Sequence, residues 1–283
     1  MKDDGSGNRL GDYLRARREL VTPERAGLPP GGTRRVPGLR REEVALLAGI
    51  SPDYYLRLER GRDRNPSAQV LESLARVLHL DEVERTYLLG LAAARPRAPR
   101  RERPEHVPAR VHQLLAHLTV PAFVEGRAFD VLAANPIALA FSPRLRPGLN
   151  RLRSLFLDPE ERAFHQDWDG ATADFAAALR TTVGDDTDDP RFVELVGELA
   201  LASGRFRTLW ARHDVRALDG GTVTVHHPVV GELRLHRDKL PVEDVILVVY
   251  YPDKDSASDE KLQLLAALST DGPVVDRPLP KAP

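Results

Sequence analysis

Cysteine is absent from the 283 residues, and with it go disulfides, thiolate nucleophiles and cysteine-based metal sites. Long apolar runs are missing too. No uninterrupted stretch approaches the ~18 residues that suggest a membrane span, and the opening MKDDGSGNRL lacks the apolar core of a signal peptide. A soluble, cytoplasmic protein without membrane partners is expected. Catalytic signatures are also lacking: there is no G-x-S-x-G elbow, no phosphate-cradling glycine loop and no credible carboxylate pair. An enzyme is therefore not expected. The histidines show no H-x-x-x-H or H-E-x-x-H spacing. His226 and His227 are neighbours on an expected strand and point to opposite faces, so only His213 or His236 could join one of them in space. GDDTDDP lacks the glycine and distal glutamate of a calcium loop and reads as a solvated connection between helices. Neither a metal nor an obligatory cofactor is expected.

Net charge is also small, at -1, but the average hides a division. Up to Arg103 there are 21 Lys+Arg and 15 Asp+Glu, a net +6; the remainder holds 20 and 27, a net −7. A basic first part joined to an acidic second suits nucleic-acid contact at one end only.

The length favours two domains. Leu10, Tyr13 and Leu14 mark one face of a first helix ending near Leu20, followed by the Pro- and Gly-dense loop VTPERAGLPPGGTRRVPGLR. Helices are expected over Arg40–Ala48 and Pro52–Arg60. Ser67 caps a fourth, with Val70, Leu71, Leu74, Val77 and Leu78 at helical spacing, and Asp81 with Glu84 forms a capping box that opens a fifth. This all-α unit spans 9–94. ARPRAPRRERPEHVPAR supplies a Pro/Arg-rich linker, 95–106, read as a tether.

Beyond the linker, helices are expected at Ala109–Leu118, Ala171–Thr182, Arg191–Ala202 and Arg205–Arg212. Strands are expected in AFVEG, FDVLAA, TVTVHH, GELRLHR and VILVVYY. The last three, separated by PVVG and DKLPVED, follow one another as an antiparallel meander would. The second domain, 107–269, is thus α+β, with one more helix near Ser258–Leu268 and a disordered tail at 270–283.

The stretch LRREEVALLAGISPDYYLRLERGR carries the sharpest signal. Val44, Ala45 and Ala48 give a small apolar inner face, Gly49 admits the positive φ of a turn, and Ile50 plugs the space between two helices. Ser51 is an N-cap, and Pro52 occupies the first helical position, where its missing N–H costs nothing. Tyr55 and Leu58 face inward, leaving Pro52, Asp53, Tyr54 and Arg57 at the front of the second helix. These are the parts a helix-turn-helix needs to present a helix to the major groove.

Residues 10–92 resemble the XRE/Cro/C1-type helix-turn-helix family, and its MmyB-like branch in particular, through PGLRREEVALLAGIS, YYLRLERGRDRNPS and VLESLARVLHLDEVERTYLLGLA. The resemblance implies that Ser51, Pro52, Asp53 and Tyr54 lie at the DNA, with Arg57 best suited to a bidentate guanine contact. It gives Arg41, Arg60, Arg62 and Arg64 the phosphates, and pairs Glu59 with Arg18. Arg40 stands where a Ser or Thr cap is usual, which predicts a weaker start for that helix. The family's two-fold dimers imply a homodimer on a palindromic operator of double-stranded DNA.

The second part resembles the MmyB-like ligand-binding domain in FDVLAANPIA, LNRLRSLFLDPEERAFHQDWDG, LVGELALASGRFRTLWARHDV, HPVVGELRLHRDKLPVED and LVVYYPD. This implies a PAS-like fold, a five-stranded antiparallel sheet with helices across one face, and a small apolar ligand such as a fatty acid. Candidate pocket residues are Trp168, Phe206, Trp210 and His213, with Asn135 and Asn150 at segment boundaries where they also suit helix caps. The reading that results is a ligand-sensing transcriptional regulator, expected to be a repressor, the commoner arrangement. The alternative keeps the DNA head and makes the second domain a dimerisation or docking module.

Overall fold

The computed structural model describes residues 8–29, 36–63, 65–93, 105–184, 189–218, 220–268 and 275–276. The chain divides into two compact units. The first comprises 1–99 with 176–189 and 207–217; the second comprises 100–175, 190–206 and 218–283. The division therefore differs from a single cut at the linker, because two stretches of the C-terminal part belong to the first unit. Of the linker, 95–104 lies outside the described residues. Glu105 belongs to the second unit, where its carboxylate accepts from the Arg127 N–H at 2.6 Å.

The first unit holds α1 (Arg9–Leu20), α2 (Arg41–Ala48), α3 (Pro52–Glu59), α4 (Ala68–Val77) and α5 (Glu82–Ala93). Each start has its chemical cause. Asn8 accepts from the Gly11 N–H at 3.2 Å and Ser67 from the Val70 N–H at 3.3 Å. Asp81 and Glu84 cap each other reciprocally, at 2.9 and 3.0 Å. The weak start expected at Arg40 keeps one half of a capping box: the Glu43 carboxylate accepts the Arg40 N–H at 2.7 Å. Tyr13, Leu14, Tyr55, Leu58, Leu74 and Leu88 form the fully buried centre. Truncating one such leucine to alanine costs about 2–5 kcal/mol.

The second unit is built on an antiparallel sheet. Its elements are α6 (Ala109–His117), β1 (Ala122–Glu125), β2 (Val131–Ala134), α7 (Pro136–Phe141), α8 (Arg151–Leu157), α9 (Pro159–Phe164), α11 (Pro190–Ala202), β3 (Gly221–His227), β4 (Gly231–Val242), β5 (Val245–Tyr251), α13 (Ala257–Leu268) and β6 (Val275–Asp276). Two helices, α10 (Trp168–Val183) and α12 (Gly204–Ala211), begin in this unit and end in the first. Strand order is β3-β4-β5-β1-β2-β6, so the expected meander forms one side of the sheet.

The five expected strands are present. Val275–Asp276, within the stretch read as a disordered tail, adds a two-residue strand on β2. DKLPVED is not a connection throughout, because β4 continues to Val242 and pairs Pro241 with Ile246. Proline is tolerated there because β3 pairs only as far as Arg237, so this length of β4 has one paired edge.

Helices cover more than one face. Phe123, Val248 and Tyr250 pack with Phe141 of α7 and with Leu262 and Leu265 of α13. Ala122, Val124 and Leu247 pack instead with Val111 and Leu115 of α6. Central strand β1 is consequently buried along its whole length, which explains why three of its four residues are apolar. Among the described residues no helix is long and apolar enough to cross a membrane.

Candidate functional site

Two sites stand out, one in each unit. In the first, Gly49 takes φ +70°, as a tight turn between α2 and α3 demands. Ser51 Oγ accepts the Tyr54 N–H at 3.1 Å, and Pro52 follows at the first helical position. Helix α3 buries Tyr55, Leu58 and Glu59 and exposes Pro52, Asp53 and Arg57. The Arg57 guanidinium lies over the half-buried Tyr54 ring, 5.4 Å from its centroid. Arg60 and Arg62 are exposed just beyond the helix; Arg64 lies outside the described residues.

Beneath this surface, Glu59 is fully buried and accepts from Arg18 Nε at 2.7 Å and from Arg41 Nε at 2.5 Å. Arg18 also donates to the Leu39 carbonyl at 2.9 Å. Burial favours the protonated acid, but hydrogen bonds from the two arginines outweigh it and hold the Glu59 carboxyl below its usual range. Arg41, expected at a phosphate, is the second of these arginines. Its Nε is committed to Glu59, although the side chain stays 42% exposed.

In the second unit, Glu125 at the end of β1 is buried between two cations. Its Oε2 accepts from Arg151 Nη1 at 2.9 Å, and its Oε1 pairs with Lys239 Nζ. Aromatic rings wall in both cations: Arg151 lies 5.0 Å from Phe123 and 4.8 Å from Phe175, and Lys239 lies 5.2 Å from Phe129. Burial pulls Lys239 down to about 8 despite the nearby carboxylate. Two buried cations share one anion, which leaves a net positive charge. Arg151 opens onto a small pocket, with room of about 30 Å³, bordered by Phe141, Phe164, Phe175, Glu161 and Tyr250. An apolar wall with a cationic end can hold a small molecule that has one polar group.

None of the residues proposed from sequence for ligand contact lines this pocket. Asn135 caps α7: its Oδ1 accepts from Ala138 and Ala122 at 2.9 and 3.1 Å, and its amide donates to the Leu118 and Val120 carbonyls. Asn150 caps α8 and donates to Ala128 and Asp130, so its polar atoms are likewise occupied. Trp168 donates from Nε1 to the Leu155 carbonyl at 2.8 Å and stacks against Arg162. Phe206 is core, edge-to-face with Phe156.

Trp210 and His213 belong to the first unit. There the Trp210 ring covers the Arg180 guanidinium at 3.9 Å. Burial, with Arg180 beside it, pulls His213 down to about 4, so it is neutral at pH 7 and offers no cation. Nor do the histidines converge: His227 Nε2 meets the Ala140 carbonyl at 3.0 Å, and His236 pairs with Asp253 at 2.8 Å. Among the described residues no cluster suited to a metal occurs.

Sequence reasoning missed Glu125, Arg151 and Lys239. One signal was legible: a lone carboxylate inside the apolar run AFVEG requires a buried partner. Lys239 was hidden in a segment read as a turn.

Comparison with known proteins finds a family for each part of the chain. A model described as "Helix-turn-helix domain" matches residues 9–88, and one described as "MmyB-like transcription regulator ligand binding domain" matches residues 107–265. No curated protein gives a significant match. With more than half its length in the second match and its capped α3 in the first, the chain belongs to the MmyB-like transcription regulators, DNA-binding proteins that carry a ligand-binding domain.

Proposed function

We propose that the protein is a dimeric, cytoplasmic repressor of the XRE type that releases a palindromic operator when its PAS-like domain binds a small apolar ligand such as a fatty acid. The observation that carries the DNA half is the division of α3. Tyr55, Leu58 and Glu59 anchor it inward, while Asp53 and Arg57 face solvent at its capped start. Side chains at that end of a recognition helix are the ones that reach base edges. Arg60 and Arg62, exposed after α3, would hold phosphates. Two heads related by a two-fold axis would read half-sites about 34 Å apart.

The ligand half rests on the aromatic pocket beside Arg151. A ligand shifts such an equilibrium only by its differential affinity for the DNA-bound and free arrangements. Light scattering and gel shifts on an operator selected from random duplexes test the proposal. The expected result is a dimer whose operator complex dissociates on adding ligand; a monomer bound to a single half-site, or a complex indifferent to every ligand found to bind, would refute it.

A further inference from the structure

Arg57, Arg60 and Arg62 are all exposed, but a base edge asks more of an arginine than a phosphate does. Two bonds to the O6 and N7 of guanine require the planar fork in one orientation. A phosphate presents oxygens in several directions and tolerates a mobile cation. Arginine has much rotamer entropy to lose, so a side chain that reads a base gains from being held before DNA arrives.

The backbone beneath Arg57 is fixed. Its carbonyl accepts the Arg62 N–H at 2.9 Å where the chain turns at Gly61, φ +65°. The order of its side chain is left to its neighbours on the helix surface. Asp53, four residues earlier and exposed, stands at a spacing that permits an ion pair. Among the described residues, however, the Arg57 guanidinium meets no carboxylate and lies over the Tyr54 ring, 5.4 Å from its centroid.

Tyr54 is a firm support. Its N–H donates to Ser51 Oγ at 3.1 Å, and its half-buried ring packs against the core of the helical unit. An aromatic face attracts a guanidinium without taking up a pair of N–H donors, as a carboxylate would. The donors of the fork therefore stay available for a base. Among the described residues neither Arg60 nor Arg62 has a ring of this kind beside it.

We infer that Tyr54 is a positioning residue: its ring restrains the Arg57 guanidinium in the DNA-free protein, so that discrimination between sequences depends on an aromatic side chain at 54 that itself reads no base. The inference rests on the reading that Arg57 meets a base edge, and it changes Tyr54 from a DNA contact into the platform for one.

Fluorescence anisotropy of the full chain on a selected operator and on a scrambled duplex tests it through the ratio of the two affinities. Tyr54→Phe should keep the wild-type ratio, and Tyr54→Leu should lower it about threefold, the worth of one exposed cation–π contact. Beside Arg57→Ala the same leucine should lower it no further, because the partner of the ring is gone. A loss in Tyr54→Phe equal to that in Tyr54→Leu would mean that the hydroxyl touches DNA. An undiminished leucine effect beside Arg57→Ala would mean that the ring does. Either result, or no loss in Tyr54→Leu, overturns the inference and leaves Arg57 at its base. An Arg57→Ala variant that discriminates like wild type would overturn both. A readout without DNA covers a Tyr54→Leu variant that does not fold. NMR relaxation of the side-chain Nε–H groups in wild-type protein should show Arg57 more restricted than Arg62, and equal mobility would overturn the inference.

Discussion

Arg18 of α1 donates from Nε to Oε1 of Glu59 at 2.7 Å, and both side chains are buried within the helical unit. Glu59 terminates α3, so this bond joins the rear of the recognition helix to the first helix. Glu59→Ala should cost about 3–5 kcal/mol in chemical denaturation, because it leaves the Arg18 charge buried without its carboxylate. Replacing both by methionine should recover much of that loss. A double variant as unstable as Glu59→Ala would show that the packing, not the charge, matters.

The same carboxylate sets an acid limit. Its folded pKa is lowered, so its contribution is complete above the unfolded value and is lost as pH falls through the folded one. Glu59→Gln should flatten the acid limb of stability against pH. An unchanged limb would mean that other carboxylates dominate it.

Arg57 and Arg62 are both exposed, one on α3 and the other just beyond it. Arg57→Ala should reduce discrimination between operator and scrambled duplex by about 1–3 kcal/mol. Arg62→Ala should weaken binding to all sequences alike and lower the salt slope by about 1. Parallel losses in the two variants, measured by fluorescence anisotropy at several salt concentrations, would remove the assignment.

Lys239 has an alkaline signature. Burial lowers its folded pKa to about 8, against Glu125, which raises it, and Arg151 and Arg237, which lower it. Between about 8 and the usual lysine value the unfolded chain binds the extra proton, so this group makes stability rise with pH. Denaturation of the second unit between pH 7.5 and 9.5 should show that rise, and Lys239→Met should abolish it. A rise of equal size in the variant would rule Lys239 out as its source.

Asn135 separates a cap from a ligand contact. Its amide satisfies four backbone groups around α7, so Asn135→Ala should lower stability by about 2 kcal/mol. Ligand affinity, read by calorimetry on the folded variant, should not change. Loss of affinity without loss of stability would restore it to the binding site.

Local chemistry that repeats or caps was legible in the sequence. Helix α4 announces itself by apolar spacing, and Asp81 and Glu84 announce α5. Helices α7, α8 and α9 were not read, because six or seven residues are too few to show a period of 3.6. Their caps Asn135, Asn150 and Asp158 were the only trace. Two of those, Asn135 and Asn150, were read both as caps and as ligand contacts, since a polar residue at a boundary looks the same for either purpose.

The recognition helix was determined by the sequence alone, because glycine at 49, serine at 51 and proline at 52 act through their own backbone, and Tyr55 and Leu58 through spacing on a single helix. The pocket was decided only by tertiary structure. Glu125, Arg151 and Lys239 come from β1, α8 and β4, far apart in the chain, and each looks ordinary until the sheet removes water from all three at once. Burial turns three common charges into a site, and burial depends on what the rest of the fold packs around them.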